Sequence, residues 1–555
     1  SEMGYDFKIL HPYIWHTSDL IKAAGESLDA AGIAPDVRAG LLQAAERGML
    51  ECSRRDVTRG AVSGMSITLG RACSLFDLKG PHYVVTSDGA SLLAAIEQAA
   101  RGLLLGDYDV ALVGGISPYL SPASFVAFDR LGMLTGEAHP RPFDAGATGT
   151  LLGEGVGFVA LRRLDHAIAA GDRIHGVMRG VGGANEGRPG ALIGAPRVAQ
   201  ALAAARAYAQ AGYGPEDVQY LECHATGVES LDCAELTAMA QVFQGRAQGR
   251  LTVASTKDMV GYLHAAAALP GLLRTITALQ RRTLPAQRHV RRPRTELVGA
   301  DSPFQLLAEL TPWPTPRPGQ PRRAAINALA MAGQAYHMTL EEYVPELHAR
   351  VAQEARSARR SPVAVVAHGA LTPGSAGSAE VFANLLAKTD QLVRVPPERF
   401  DIDRYFDPDG GPATSYCYLG GFVRGLHFDA PASRIPPTVA AQLDRTHVYA
   451  LTVAAEAMRG TTAAAQVRDR TAVFMADMPG RQREREVELR VVYATMDEIL
   501  RAALRDSGMA APLVDLVSRQ TEQRFKRTLS PLTPHTLPGY GASTQAARAA
   551  SGFRP

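Results

Sequence analysis

The chain has 555 residues, a net charge of +3 and an apolar content of 46%, which suffices for two or more folding units with sizeable cores. The near balance of 58 basic and 55 acidic residues, without a dense Lys/Arg block, argues against a nucleic-acid-binding protein. Five cysteines without CxxC spacing favour a reduced, cytoplasmic setting, and no metal site is suggested. No apolar run reaches the length of a membrane span and no secretory leader opens the chain, so no membrane partner is expected.

The first predicted elements are two helices within residues 16–81, joined by the turn Ala31-Gly32-Ile33. Residues 493–555 repeat this order around the turn Ser507-Gly508-Met509, which indicates an internal duplication. Helical segments rich in Ala and Leu also resemble one another by chance. The pattern alone therefore leaves duplication and coincidence equally open.

Residues 83–345 alternate short β-branched runs with longer helical patterns. The strands are predicted at Val84–Thr86, Val110–Gly115 and Val156–Leu161, and the helices include 91–105 and 197–212. This alternation predicts an α/β fold in which helices pack on sheets.

A polar stretch rich in Arg and Ala, residues 346–361, interrupts the pattern and predicts a linker. A new apolar strand, Val363–Val366, follows it. The predicted domains are therefore a first unit, residues 1–345, the linker, and a second unit, residues 362–555.

Several motifs of the first unit occur in a fixed order. They are Val84–Leu92, Gly106–Gly115, Arg141–Ala145 with Leu152–Gly157, Glu222–Gly227, and Ser255–Lys257 with Gly261. Together they resemble the β-ketoacyl synthase family, in the ketosynthase and chain-length-factor branch of polyunsaturated fatty acid synthases and iterative polyketide synthases. The resemblance implies a thiolase-like fold with layered αβαβα architecture, usually dimeric.

Residues 362–555 resemble the opening part of a second ketosynthase-like unit. The similar segments are Val395–Phe400, Asp403–Pro408 and Gly420–Phe422. The first unit lacks the opening segments of the family, and the second lacks everything from the nucleophile onward. Three explanations stay open: a tandem cut across its copies, omitted segments, or a circular permutation in which 361–555 completes 83–345.

Asp88 occupies the position at which the resemblance places the nucleophilic cysteine of an active ketosynthase, at a strand-to-helix turn. A carboxylate there cannot form the acyl thioester that condensation requires. His224 matches the first catalytic histidine and Lys257 the lysine that braces the network, whereas Tyr262 replaces the second histidine. Tyrosine carries no positive charge at neutral pH, so stabilisation of an enolate is expected to weaken.

Some of these positions allow a second interpretation. Asp88 could act as a general base, or it could cap the helix that follows. His224 could be a catalytic remnant or a structural histidine, and His264 could reach the site by a register shift or face a helix or an interface. Lys257, Asp144 and Glu154 favour structural roles, Cys223 is expected to be buried and inert, and the turn 330–335 replaces a glycine-rich turn of the family.

The predicted function is a non-elongating, chain-length-factor-like component of a multidomain polyketide or polyunsaturated fatty acid synthase. It would pack against a ketosynthase-like partner domain, or form a homodimer, and shape the acyl tunnel. The resemblance implies no directly bound cofactor, because the substrate arrives on the phosphopantetheine arm of an acyl carrier protein.

Two other functions stay open. One is a decarboxylase of altered chemistry that acts on malonyl-carrier protein. The other is a module that docks the carrier protein, or a neighbouring synthase domain, through a basic patch. That patch would consist of Arg281, Arg282, Arg288, Arg291, Arg292 and Arg294.

Overall fold

The structure is a computed structural model of the whole chain. It describes residues 19–54, 65–117, 122–187, 196–246, 249–317, 319–354, 365–387, 389–399, 402–404, 406–409, 415–426, 428–430, 435–459, 473, 475, 482–533, 536 and 544.

The described helices are α1 (19–30), α2 (Pro35–Arg54), α3 (Met65–Leu75), α4 (Ser91–Leu105), α5 (Pro122–Arg130), α6 (Leu164–Ala170), α7 (Arg197–Ala211), α8 (Glu229–Val242), α9 (Lys257–Val260), α10 (Leu269–Arg281), α11 (Thr295–Val298), α12 (Pro345–Glu354), α13 (Ser378–Ala387), α14 (Pro437–Ala440), α15 (Arg445–Arg459), α16 (Gln482–Asp506) and α17 (Ala511–Thr528). The described strands are β1 (Val110–Ser117), β2 (Gly155–Arg162), β3 (Val177–Asn185), β4 (Tyr220–Glu222), β5 (Leu251–Ala254), β6 (Thr283–Leu284), β7 (Phe304–Gln305), β8 (Thr311–Pro312), β9 (Arg323–Leu329), β10 (Gln334–Glu341), β11 (Leu392–Arg394) and β12 (Leu419–Gly421).

The chain folds into two compact units. The sheet unit is built mainly from Val85–Ala364, and the helical unit combines Ser1–Val84 with most of the chain after Val365. The division of the sequence at residues 345 and 362 follows family resemblance rather than compactness. That division therefore stays a prediction.

The sheet unit contains a six-stranded sheet in the order β3-β10-β9-β4-β5-β7. Strand β10 runs antiparallel to β3 and β9, whereas the remaining neighbours are parallel. Strands β1 and β2 form a separate antiparallel sheet. Helices α4 and α10 lie between the two sheets, and α7 packs on β3 and β10 from the far side, next to α8. The α/β prediction is confirmed.

Helix α4 shows why this layer forms. Its apolar residues recur with helical spacing, so Leu92, Leu93 and Ile96 are fully buried and contact core residues of both sheets. Burying each of these side chains stabilises the fold by about 1.5–3 kcal/mol. The predicted helix over 91–105 and the predicted strands in β1 and β2 are confirmed.

The β1–β2 sheet is covered on one face only within the part of the chain that the structure describes. Its outer face consists of Val110, Leu112, Val156 and Phe158, whose exposed fractions are 50%, 56%, 62% and 56%. The side chains that alternate with them on the other face pack on α4 and α10.

The helical unit contains two helical hairpins, α1–α2 and α16–α17. A constant offset of 476 residues relates them, and each has a glycine with positive φ in its turn: Gly32 at 74° and Gly508 at 82°. Equivalent residues are buried in the same two clusters, for example Leu28 with Leu504 and Leu41 with Val517. The turns also share their backbone hydrogen bonds, as in Ile33 N–H to Leu28 O and Met509 N–H to Leu504 O. The two hairpins are therefore structurally equivalent, while their origin in a duplication stays a prediction.

Three local predictions differ from the structure. Val84–Thr86 belongs to no described strand, because no described strand lies alongside to pair with it. The first part of the predicted linker is helix α12, anchored by the buried His348, whose Nε2 lies 3.0 Å from Glu341 Oε1. Of the strand predicted at 363–366, two residues lie outside the described part, while Val365 and Val366 are exposed and in no described strand. No helix in the described ranges is long and apolar enough to cross a bilayer.

Candidate functional site

Asp88 lies in a single 3₁₀ turn, Asp88–Ala90, that leads directly into α4. Its φ of 40° is in the left-handed region, which residues other than glycine rarely adopt. The Ser91 hydroxyl accepts a hydrogen bond from Ser87 N–H (2.8 Å) and donates one to Asp88 O (2.7 Å). The N-cap position of α4 belongs to Ala90, so Asp88 does not occupy the capping position that the sequence allowed.

Gly89 shows how closely the turn approaches the other predicted site residues. A Cβ atom at this position would lie 2.5 Å from Tyr262 Oη and 2.9 Å from His224 Cε1. It would also lie 2.7 Å from the carbonyl oxygen of Leu329. Only glycine fits between these groups. The structure therefore brings the Asp88 turn, His224 and Tyr262 together, as the sequence predicted.

His224 and Tyr262 are both buried, with 4% and 6% of their surface exposed, and their rings meet edge to face with centroids 5.8 Å apart. Burial lowers the pKa of His224 well below its usual range, and the nearby Lys257 lowers it further. Burial raises the pKa of Tyr262, and the charge of Asp88 adds to this effect. At neutral pH the pair therefore consists of a neutral imidazole and a protonated phenol.

Lys257 is buried at the start of α9, between two carboxylates. Burial lowers its pKa, and the charges of Glu222 and Glu235 oppose that change. Glu222 also forms an ion pair with Arg274, in which its Oε2 accepts hydrogen bonds from Arg274 Nη2 at 2.6 Å and from Arg274 Nε at 3.0 Å. A buried charge is stabilised by opposite charges nearby, so these surroundings favour the structural role that the sequence suggested for Lys257.

Two acidic residues of α8 hold the loop that carries His224, and sequence analysis missed both. Glu235 accepts hydrogen bonds from the backbone N–H groups of His224 and Ala225, each at 2.8 Å. Asp232 accepts from Thr226 N–H at 2.8 Å, and both carboxylates are fully buried. The signal in the sequence is their spacing of three residues, which places both carboxylates on one face of α8.

His264 lies beside the site instead of replacing Tyr262. Its ring packs at 5.4 Å from the Tyr262 ring and at 5.1 Å from Phe128 of α5, so it also faces a helix. The turn 330–335 contacts the segment that leads into the Asp88 turn, because the Gln334 side chain accepts a hydrogen bond from the Ser87 hydroxyl. The substituted turn thus contacts the residue that precedes Asp88.

The remaining candidates have structural surroundings. Asp144 is buried and accepts hydrogen bonds from the backbone of Arg291 (2.5 Å) and Arg292 (2.8 Å), whereas Glu154 is exposed. Cys223 is buried, and burial raises its thiol pKa well above the usual range, which agrees with an inert residue. Within the described ranges, no group of three or more His, Cys, Asp or Glu could hold a metal ion.

Two family models match the chain. The model of the β-ketoacyl synthase N-terminal domain matches residues 20–167 and 360–510, and that of the C-terminal domain matches residues 175–291. The chain belongs to the β-ketoacyl synthase family. The N-terminal model matches two separate stretches of the chain, one on each side of the match to the C-terminal model.

Curated relatives include polyketide synthases. A phenolphthiocerol/phthiocerol polyketide synthase of Mycobacterium tuberculosis is 32% identical over 333 residues, which are 58% of this chain and 22% of that protein. The highly reducing polyketide synthase ACTTS3 of Alternaria alternata is 32% identical over 395 residues, which are 68% of this chain and 16% of that protein. The chain thus spans less than a quarter of the length of these relatives.

A solved structure confirms the fold. PfaC keto synthase-chain length factor superposes with a TM-score of 0.70 over 85% of this chain and 49% of that chain, at 21% identity. The ketosynthase-type chain therefore has the thiolase-like α/β fold that the resemblance implied. The roles of Asp88, His224, Tyr262 and Lys257 stay predictions.

Proposed function

We propose that this chain is a non-elongating, chain-length-factor-like component of a polyketide or polyunsaturated fatty acid synthase. In this role it packs with a ketosynthase and shapes the acyl tunnel, while the substrate arrives on the phosphopantetheine arm of an acyl carrier protein. The observation that carries the proposal is the placement of Asp88. Its turn lies against both His224 and Tyr262, in the assembled site rather than elsewhere on the surface.

The chemistry of the site supports loss of condensation. Condensation needs a sulfur nucleophile to hold the acyl chain, and a carboxylate at Asp88 forms no thioester. Tyr262 keeps its proton at neutral pH, so it offers one hydrogen bond but no positive charge to an enolate. His224 is neutral for the reasons given above, and it too brings no charge.

The helical unit supports the packing role. Its two hairpins are structurally equivalent and bury their equivalent residues in shared clusters. Two ketosynthase-like copies that pair through this element would place an inactive unit beside a partner of the same family.

Acyl transfer from a loaded carrier protein, followed by intact mass spectrometry, tests the proposal. We expect no mass increase on the parent chain and a thioester adduct on Asp88→Cys, because the substitution restores sulfur at the head of α4. Asp88→Asn is the matched control and should stay unmodified. A covalent acyl adduct on the parent chain would overturn the proposal, and an unmodified Asp88→Cys would show that Asp88 is not the only block.

Decarboxylation is a second candidate, favoured by one observation. The charge of Asp88 is close enough to Tyr262 to raise the phenol pKa, so a carboxylate and a hydrogen-bond donor lie near each other in the site. Steady release of carbon dioxide from malonyl-carrier protein, lost in Asp88→Ala, would select this function. A parent chain that releases none would remove it.

A further inference from the structure

Four buried side chains form a continuous hydrogen-bonded network behind the loop that carries His224. Tyr208 Oη lies 3.1 Å from His337 Nε2, and His337 Nδ1 lies 2.7 Å from Asn327 Oδ1. Asn327 Nδ2 donates to Glu235 Oε1 at 2.9 Å, and the same oxygen accepts from His224 N–H. Each of these five residues is at most 7% exposed. The Tyr208–Glu235 network therefore links α7, β10, β9 and α8 to the backbone of a predicted site residue.

The sheet and α7 bring the members of this network together. His337 and Asn327 are directly opposite each other on the antiparallel strands β10 and β9, so their side chains meet on one face of the sheet. Gly182 of β3 is the neighbour of His337 on the other side. A Cβ atom at Gly182 would lie 2.4 Å from the carbonyl oxygen of Ala203 in α7. Because glycine lacks this atom, α7 can lie close to the sheet, and Tyr208 reaches the His337 ring.

The partners in this network fix the position of each proton. A carboxylate only accepts, so Asn327 presents Nδ2 to Glu235 and Oδ1 to His337. His337 therefore carries its proton on Nδ1, and its Nε2 accepts from the Tyr208 hydroxyl. Burial lowers the pKa of His337 to about 3, so the ring is neutral at physiological pH. Turning the Asn327 amide over would set donor against donor at His337 and acceptor against acceptor at Glu235.

We propose that His337 is a positioning residue for His224, because it holds the side chains that fix the His224 backbone. The His337 ring keeps the Asn327 amide in the orientation that donates to Glu235. Glu235 in turn accepts from the N–H groups of His224 and Ala225, so the orientation of its carboxylate sets where this backbone lies. The inference concerns how the loop is held, so it does not rest on the proposed function.

The same loop has a second, separate attachment. Ser255 Oγ donates to the carbonyl oxygen of Ala225 at 2.6 Å, and Ser255 N–H donates to Gln287 Oε1 at 2.7 Å. Glu235 thus binds N–H groups of the loop, whereas Ser255 binds a carbonyl group. Weakening the Tyr208–Glu235 network should therefore loosen the amides of the loop while the contact with Ser255 keeps the loop in place. The expected effect is local.

Hydrogen–deuterium exchange of the full chain, read by mass spectrometry of the peptide that contains His224 and Ala225, tests the proposal. We expect His337→Leu to speed exchange of these amides at least about fivefold, because their acceptor is held less firmly. His337→Asn should keep them protected, since its amide nitrogen can replace Nδ1 as the donor to Asn327. Tyr208→Phe is the matched control, because it removes one hydrogen bond of the same network but leaves the Nδ1 donor in place.

Unchanged exchange of the loop in His337→Leu, or an increase no larger than that in β3, would overturn the proposal. Equal loss of protection in His337→Leu and in either His337→Asn or Tyr208→Phe would overturn it as well. A second measurement needs no folded variant: nuclear magnetic resonance of the parent with ¹⁵N-labelled histidine should show the Nδ1–H tautomer of His337. An Nε2–H tautomer would contradict the network. Neither measurement uses a carrier protein or an acyl group, so a failure here leaves the acylation experiment unaffected.

Discussion

At the scale of single residues, the site is crowded on every side of Gly89. The Tyr262 hydroxyl, the His224 ring and the Leu329 carbonyl leave no room for a side chain there. The Asp88 turn can therefore approach the His224 and Tyr262 rings this closely only because residue 89 is a glycine and has no Cβ atom. A change at this position should affect stability as well as any residual chemistry.

We expect Gly89→Ala to lower the free energy of unfolding by about 1–3 kcal/mol, because the added carbon overlaps backbone and ring atoms in a packed core. Gly136→Ala is the control, since nothing lies within 4 Å of its Cβ position. Denaturant unfolding of both variants measures the difference. Equal stabilities would show that the turn is looser than the structure indicates.

The order of motifs was sufficient to predict that Asp88, His224 and Tyr262 meet. It was insufficient for the groups that hold them. Glu235 bonds to the backbone of His224 from 11 positions away, and Asp144 bonds to Arg291 from 147 positions away. Such partners are set by tertiary packing, which local spacing does not encode.

At the scale of elements, the two helical hairpins are the most regular feature. Equivalent positions of the two hairpins are buried to a similar extent. A side chain shortened in one hairpin can therefore be compared with the equivalent change in the other. Leu28 and Leu504 have no exposed surface and lie in the same cluster.

Leu28→Ala and Leu504→Ala should each lower the free energy of unfolding by about 2–5 kcal/mol, through lost burial and a cavity. Val37→Ala provides the control, since half of Val37 in α2 is exposed. Unfolding followed by far-ultraviolet circular dichroism gives the comparison. If either leucine variant matched the control, the shared core of the hairpins would be in doubt.

Helices with strong periodicity were predicted well, as α4 illustrates. The failures have physical causes. A run such as Val84–Thr86 becomes a strand only where another strand offers hydrogen bonds, and residues 346–354 are helical because Pro345 begins a helix of good helix formers. Strand pairing and tertiary anchoring both lie outside a local pattern.

At the scale of the whole molecule, the sheet unit is a layered structure in which, among the described elements, one face of the β1–β2 sheet stays largely uncovered. The six-stranded sheet has helices on both faces, whereas the β1–β2 sheet has described helices on one. Apolar surface of this kind is typical of association sites, so we predict that the chain self-associates through this face.

Replacing two of these residues, as in Leu112→Lys/Phe158→Lys, should reduce self-association in light scattering and leave the melting temperature nearly unchanged. Val113→Lys is the contrasting variant, since Val113 points into the core and its replacement should unfold the unit. Unchanged light scattering in the double variant would show that the outer face of the β1–β2 sheet does not mediate self-association.

Because this apolar surface is exposed in the folded part of the chain that the structure describes, thermal unfolding is not needed to expose it. We expect solutions of the protein to become turbid because native molecules associate through this face. The onset of turbidity should depend on the protein concentration and not on thermal unfolding. Substitutions that stabilise the core should therefore leave the protein concentration at which turbidity appears unchanged.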